Sequence, residues 1–126
     1  MSITQNVNLN MIRGDTLSIG VEFTNLTDDL DGAYFSCKQS YSANSYIFQK
    51  SLATGGGITK ESTGVYRIRV APADTENVAP GNYVYDLQIQ IDNDILTILI
   101  GTLTIGYGVT EGVYSASASD TSPSLT

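Results

Sequence analysis

Residues 77–92 read Asn77-Val78-Ala79-Pro80-Gly81-Asn82-Tyr83-Val84-Tyr85-Asp86-Leu87-Gln88-Ile89-Gln90-Ile91-Asp92. Tyr83, Tyr85, Leu87, Ile89 and Ile91 alternate with Val84, Asp86, Gln88, Gln90 and Asp92. A period of two places the first set on one face of an extended strand and the second on the other, a separation that helical geometry cannot produce. The run is long for a strand and predicts one that projects beyond a small sheet. Pro80-Gly81 supplies a turn immediately before it.

The same period extends in both directions. Downstream, Asp92-Asn93-Asp94 reads as a hairpin connection. It leads into residues 95–105 (ILTILIGTLTI), the most apolar stretch of the chain. Leu96, Ile98 and Ile100 fit one face there, whereas Leu99, Leu103 and Ile105 fit the other. Either both faces are covered, or a bulge at Gly101 switches the facing. Upstream, Tyr66, Ile68 and Val70 are expected to point inward and Arg67 and Arg69 outward. Leu17, Ile19, Val21 and Phe23 alternate with Ser18, Gly20, Glu22 and Thr24. Phe35 and Cys37 share a face opposite Tyr34, Ser36 and Lys38. Residues 46–51 read as a short strand, and Ile3, Gln5, Val7 and Leu9 as the first.

Between these segments, Asp31-Gly32, Gly55-Gly56-Gly57 and Ser62-Thr63-Gly64 carry turn chemistry, with the triple glycine expected to be a flexible tip. One helical turn is predicted at 72–78, where Pro72 suits a first-turn position and Asp74 and Glu76 complement the positive helix end. The expected strands are 3–9, 16–24, 33–39, 46–51, 65–71, 82–91 and 95–105. Their number and spacing predict an all-β, antiparallel immunoglobulin-like sandwich of about seven strands over residues 1–105. Residues 106–126 are rich in Gly, Ser, Thr and Ala. They are expected to be a tail that is flexible alone or held by a neighbouring subunit through Val109, Val113 and Tyr114.

Composition removes many functions. The chain has 126 residues, a net charge of −7, no His, no Trp and one Cys, with 41% hydrophobic and 15% charged residues. This is the composition of one folded domain with a real core. Without His, neither a Ser–His–Asp triad nor a Cys–His dyad can form, and one Cys cannot close an internal disulfide. Six scattered Lys and Arg argue against nucleic acid. No apolar run reaches the roughly 18 residues of a membrane helix, and no secretion signal is read at the start. A chain that does not rely on disulfides suits assembly in a reducing cytoplasm.

The remaining motifs are weak. Arg13-Gly14-Asp15 matches the integrin-recognition tripeptide, but it directly precedes a strand and reads first as a bend. Asp28, Asp29 and Asp31, like Asp92 and Asp94, could face a cation, yet they lack the glycine and distal Glu of a calcium loop and read better as turn residues. Gly55-Gly56-Gly57 lacks the Lys-Ser/Thr of a phosphate loop. No catalytic motif, cofactor site or metal site is expected, and the reading is a non-enzyme. Two readings of Tyr83 stand side by side. It is the hydroxyl of a tyrosine corner that bonds the backbone just upstream, or it is one more core aromatic.

The order RGDT (13–16), YFSCK (34–38), FQK (48–50), TGVYRIRV (63–70), APADTENVAPGNYVYDLQI (71–89) and GTLTI (101–105) resembles the immunoglobulin-like domain of tailed-bacteriophage virion structural proteins. The N-terminal domain of upper baseplate proteins is its best-known member. The resemblance spans about residues 10–105, and the chain departs from it in having no long C-terminal helix, coiled coil or receptor-binding region. It implies a virion structural protein made in the host cytoplasm, whose partners are capsid, tail or baseplate subunits or further copies of itself. Leu96, Ile98 and Ile100 on a sheet face, with Val113 and Tyr114 in the tail, are the expected partner contacts. The alternative is a host-surface or carbohydrate-binding module, for which Tyr34, Tyr41, Tyr46 and Tyr107 are expected to face solvent.

Overall fold

The computed structural model describes residues 4–109 apart from 25 and 27. Val113 and Tyr114 therefore lie outside the described residues. The described chain forms nine strands and one helical turn: β1 (Gln5–Asn6), β2 (Leu9–Ile12), β3 (Leu17–Glu22), β4 (Gly32–Lys38), β5 (Phe48–Ser51), β6 (Ile58–Ser62), β7 (Val65–Val70), α1 (Pro72–Thr75), β8 (Gly81–Ile91) and β9 (Asp94–Gly106). One sheet has the order β1-β9-β8-β4-β5, with β2 also on β9, and the other has the order β3-β7-β6. β1 and β2 run parallel to β9, and every other ladder is antiparallel. This is an all-β immunoglobulin-like sandwich. In the usual lettering B, E and D face C′, C, F and G, with the first strand riding on the last.

The alternating segments bury the side chains their period assigns inward. Phe35 and Cys37 on β4, Tyr66, Ile68 and Val70 on β7, and Tyr83, Tyr85, Leu87 and Ile89 on β8 are all core residues. Immunoglobulin sandwiches commonly join strands B and F, here β3 and β8, by a disulfide packed on a Trp of strand C, with the corner tyrosine two residues before the second Cys. Here that second position is Tyr85, and the Phe35 ring lies against it at 5.3 Å between centroids. Phe48 stacks on the other side of Phe35 at 6.0 Å. Phe35 on β4 and Tyr85 on β8 thus stand where the Trp and the second Cys would, and the aromatic cluster packs within one sheet rather than bridging the two.

Three expectations about the strands change. The first strand is two short pieces continuing to Ile12, and Val7 and Asn8 interrupt it. β6 is an additional strand that its sequence hid. Of its five residues only Ile58 is buried, so no alternation marks it. The switch of facing in β9 lies at Ile98 rather than at Gly101. Leu99 pairs with Leu87, but Thr97 pairs with the next residue, Gln88, leaving Ile98 as the extra residue of a bulge.

Gly101 serves another purpose. A Cβ there would stand 2.0 Å from the Val7 carbonyl oxygen, so glycine lets the interrupted first strand lie against β9. The amide of Val7 donates to the Ile100 carbonyl at 2.9 Å, and the Tyr85 hydroxyl donates to the Val7 carbonyl at 2.6 Å. The triple glycine is no free tip either. Ser51 N–H donates to Gly56 O and Arg69 N–H to Gly57 O, both at 2.8 Å, which ties the edge of one sheet to the other.

The two sheets are also joined at the corner after β7. Asp74 Oδ2 accepts the Ala71 amide at 2.7 Å and the Lys50 ammonium at 2.6 Å, linking α1 to β5. Across the turn, the Tyr83 hydroxyl donates to the Ala79 carbonyl. A buried hydroxyl thus finds its partner four residues upstream, the geometry of a tyrosine corner.

Cys37 is fully buried, and burial pushes its thiol from the ordinary 9.0 up to about 12. The thiolate is the reactive form, so native protein at pH 8 should resist iodoacetamide. Stoichiometric labelling should appear only in denaturant, read by mass spectrometry. Labelling of the native state within minutes would contradict the packing of β4. The folded thiol titrates higher than the unfolded one, so its contribution to stability is present below about pH 9 and is lost as pH rises towards 12.

Candidate binding face

Because Ala33, Phe35 and Cys37 point inward, Tyr34, Ser36 and Lys38 must point outward from β4. The same parity sends Val84, Asp86 and Gln88 outward from β8. Register sets these rows side by side: Tyr34 opposite Gln88, Ser36 opposite Asp86, and Lys38 opposite Val84. β9 continues the rows with Thr97 beside Gln88, Ile100 beside Asp86 and Thr102 beside Val84. The outer face of the larger sheet is therefore a lattice of hydroxyls and amides with few apolar members.

A groove of about 530 Å³ runs over the β4–β8 part of this face. The β4–β5 connection rises beside it and carries Tyr41 and Tyr46, and Gln49 enters from β5. Tyr34, Tyr41 and Tyr46 are 46%, 70% and 52% exposed. Gln49 Nε2 donates to Ser36 Oγ at 3.0 Å. The Lys38 ammonium lies 5.7 Å from the centre of the Tyr46 ring, in cation–π range. Asp86 is half-buried; burial raises its carboxyl above the ordinary carboxylate range, and the nearby Lys38 charge partly opposes this. With aromatic rings at the rim and paired donors and acceptors on the floor, the groove can stack on a ligand and hydrogen-bond it.

The expected contact residues do not gather here. The bulge at Ile98 separates them. Leu96 pairs with the buried Ile89, and both Leu96 and the unpaired Ile98 are partly buried against the core. Ile100, opposite Asp86, alone of the three lies on the outer face. A single-face assignment of Leu96, Ile98 and Ile100 is therefore corrected, because one extra residue reverses the parity of everything beyond it. Val113 and Tyr114 fall outside the described residues. Sequence reasoning named the tyrosines but missed Ser36, Gln49, Asp86 and Gln88. The signal for three of them was present as the polar parity of 34–38 and 84–90.

The other motifs resolve as structure. Gly14 has φ +81° and donates its amide to the buried Thr75 hydroxyl at 2.9 Å, so Arg13-Gly14-Asp15 is a turn docked on α1. Asp29 pairs with Lys60 at 2.6 Å. Among the described residues, no group of three His, Cys, Asp or Glu side chains gathers to hold a metal. No described helix is long and apolar enough to cross a membrane.

No protein-family model matches the chain, and no curated protein matches it in sequence. Among solved structures, it is similar to the immunoglobulin-like domain of mouse leukocyte-associated immunoglobulin-like receptor 1 in a strand-swapped dimer. That match has 12% identity and a TM-score of 0.49 over 83% of this chain and 94% of that one. The BTLA ectodomain matches at 13% identity and a TM-score of 0.47, covering 82% and 94% of the two chains. The extracellular domain of the voltage-gated sodium channel beta4 subunit, solved as parallel homodimers, matches at 13% and 0.44, covering 86% and 98%. The immunoglobulin-like arrangement of this chain is carried by its own strand order and by the Tyr83 corner.

Proposed function

We propose that the chain is a non-enzymatic virion structural module of a tailed bacteriophage, assembling through the sheet edge formed by β1, β2 and the end of β9. The virion setting is supported by the ordered resemblance from Arg13 to Ile105. The assembly role rests on one observation. Among the described residues, exposed apolar side chains collect along this edge: Val7 is 38% exposed, Ile12 39%, Tyr107 73% and Val109 fully so. β1 and β2 pair with β9 on one side only, which leaves backbone donors and acceptors on the other side for an incoming strand. Many weak copies of such a contact gain strength through multivalency in a symmetric particle.

The partner is a capsid, tail or baseplate subunit, or a second copy of the chain. Incorporation into particles tests the reading. The double variant Ile12→Asp/Val109→Asp alters only exposed positions and should fold normally by circular dichroism. Its copy number per particle should fall by about tenfold or more, the consequence of losing roughly 1.4 kcal/mol of contact. Wild-type copy number for this variant would remove the edge from the account. Absence of the wild-type protein from purified particles would remove the virion role itself. Copy number also locates the protein, since head vertices, tail tube and baseplate differ in symmetry.

A further inference from the structure

We propose that the groove between β4, β8 and the β4–β5 connection is a binding site for a short neutral saccharide. This goes beyond the assembly reading and uses a different surface. The lining decides among ligand classes. A protein partner would be met by an apolar centre ringed by polar groups, but here Ser36, Lys38, Gln49, Asp86 and Gln88 line the groove and Val84 is its one aliphatic lining residue. A phosphate or nucleic acid would need clustered cations, and the groove has Lys38 alone in a chain of net charge −7. That acidity also disfavours uronic or sialic acids.

A sugar ring fits what remains. It offers a C–H face to an aromatic ring and a rim of hydroxyls, each both donor and acceptor. Tyr34 and Tyr41 offer ring surface for stacking, while the Tyr46 ring carries the Lys38 ammonium. The amides of Gln49 and Gln88 offer donors and acceptors together, Asp86 accepts and Lys38 donates. The groove's volume lies within the range, about 300–1,000 Å³, of cavities that enclose small ligands. Asp86 lies on the floor beside Lys38, so an acceptor and a donor for ligand hydroxyls stand together.

The test uses the full chain, isotopically labelled, titrated with a panel of short neutral oligosaccharides of hexose and N-acetylhexosamine and followed by amide chemical shifts. At least one should bind, with shifts centred on Ser36, Gln49, Asp86 and Gln88. Tyr34→Ala and Gln88→Ala should each weaken it by about tenfold. Tyr107→Ala, an exposed tyrosine off the groove, should leave affinity unchanged and serves as control. The proposal is overturned if no member of the panel shifts these amides, if shifts map elsewhere, or if Tyr107→Ala weakens binding as much as Tyr34→Ala. The two readings fail separately. Tyr34→Ala should enter particles normally, and Ile12→Asp/Val109→Asp should bind the saccharide normally.

Discussion

Tyr85→Ala should lose about 4 kcal/mol of unfolding free energy, within the range for deleting a buried aromatic ring. The side chain is 2% exposed, touches Phe35 from the neighbouring strand, and reaches across the sheet so that its hydroxyl meets the Val7 carbonyl. No disulfide shares the load, so the loss falls on a domain whose whole stability is of order 5–15 kcal/mol. Urea denaturation should show a large drop in midpoint with little change in slope. Tyr85→Phe separates the two contributions: it keeps the ring and removes one hydrogen bond worth about 1 kcal/mol. A Phe variant as unstable as the Ala variant would mean that the hydroxyl, not ring packing, dominates. A loss below about 1 kcal/mol in Tyr85→Ala would contradict the packing of its ring against Phe35. Burial also raises the Tyr85 phenol, so the unfolded state ionises first. Stability from this group is full below the ordinary phenol range and declines as alkaline pH passes through it, the same sign as for Cys37.

Gly101→Ala is the second large effect, about 3 kcal/mol, at the upper end of overpacking costs. The added carbon would stand 2.0 Å from the Val7 oxygen and 2.8 Å from its carbonyl carbon, backbone atoms that cannot rotate away. The first strand must lift. With it go the Val7 amide bond to Ile100, the Tyr85 hydroxyl bond and the bond from the Thr102 amide to Asn8 Oδ1. Hydrogen exchange should show lost protection at Val7 and Thr102 while the β4–β8 ladder keeps its own. Gly106→Ala is the matched control. Its nearest neighbour would be the end of the Ile12 side chain at 3.7 Å, an ordinary contact, so little stability should change. Equal effects of the two substitutions would mean that glycine flexibility in β9, rather than the approach of Val7, sets the requirement.

The two variants also mark where sequence reading stops. Tyr85 was legible as an inward residue because ten residues alternate without interruption, and hydrophobic parity is a local property. Gly101 is legible as a special position, but the bulge that is one of its two sequence readings lies at Ile98 instead. Its neighbour Val7 is 94 residues away along the chain, and nothing near Gly101 announces that contact. β6 is hidden for the same kind of reason: its pairing with β7 makes it a strand, and of its own side chains only Ile58 is buried, so Thr59, Lys60, Glu61 and Ser62 read as loop.

The candidate face shows the division most clearly. Outward parity alone nominates Tyr34, Ser36, Lys38, Asp86 and Gln88. That they form one surface depends on β4 and β8 being neighbours in register, and the groove depends on Tyr41 and Tyr46 standing beside them. What the amino-acid order determined unaided was the all-β class, the inward sets of the strands around Phe35, Ile68 and Leu87, and the exclusion of His- and disulfide-based chemistry; the Tyr83 hydroxyl bond to Ala79 settled which of its two readings holds. The tertiary structure alone decided the strand order, the bulge at Ile98 that parts Leu96 from Ile100, and the surfaces available to a partner. Side-chain parity is written every second residue, whereas pairing, bulges and grooves arise from contacts between segments that are distant in the chain.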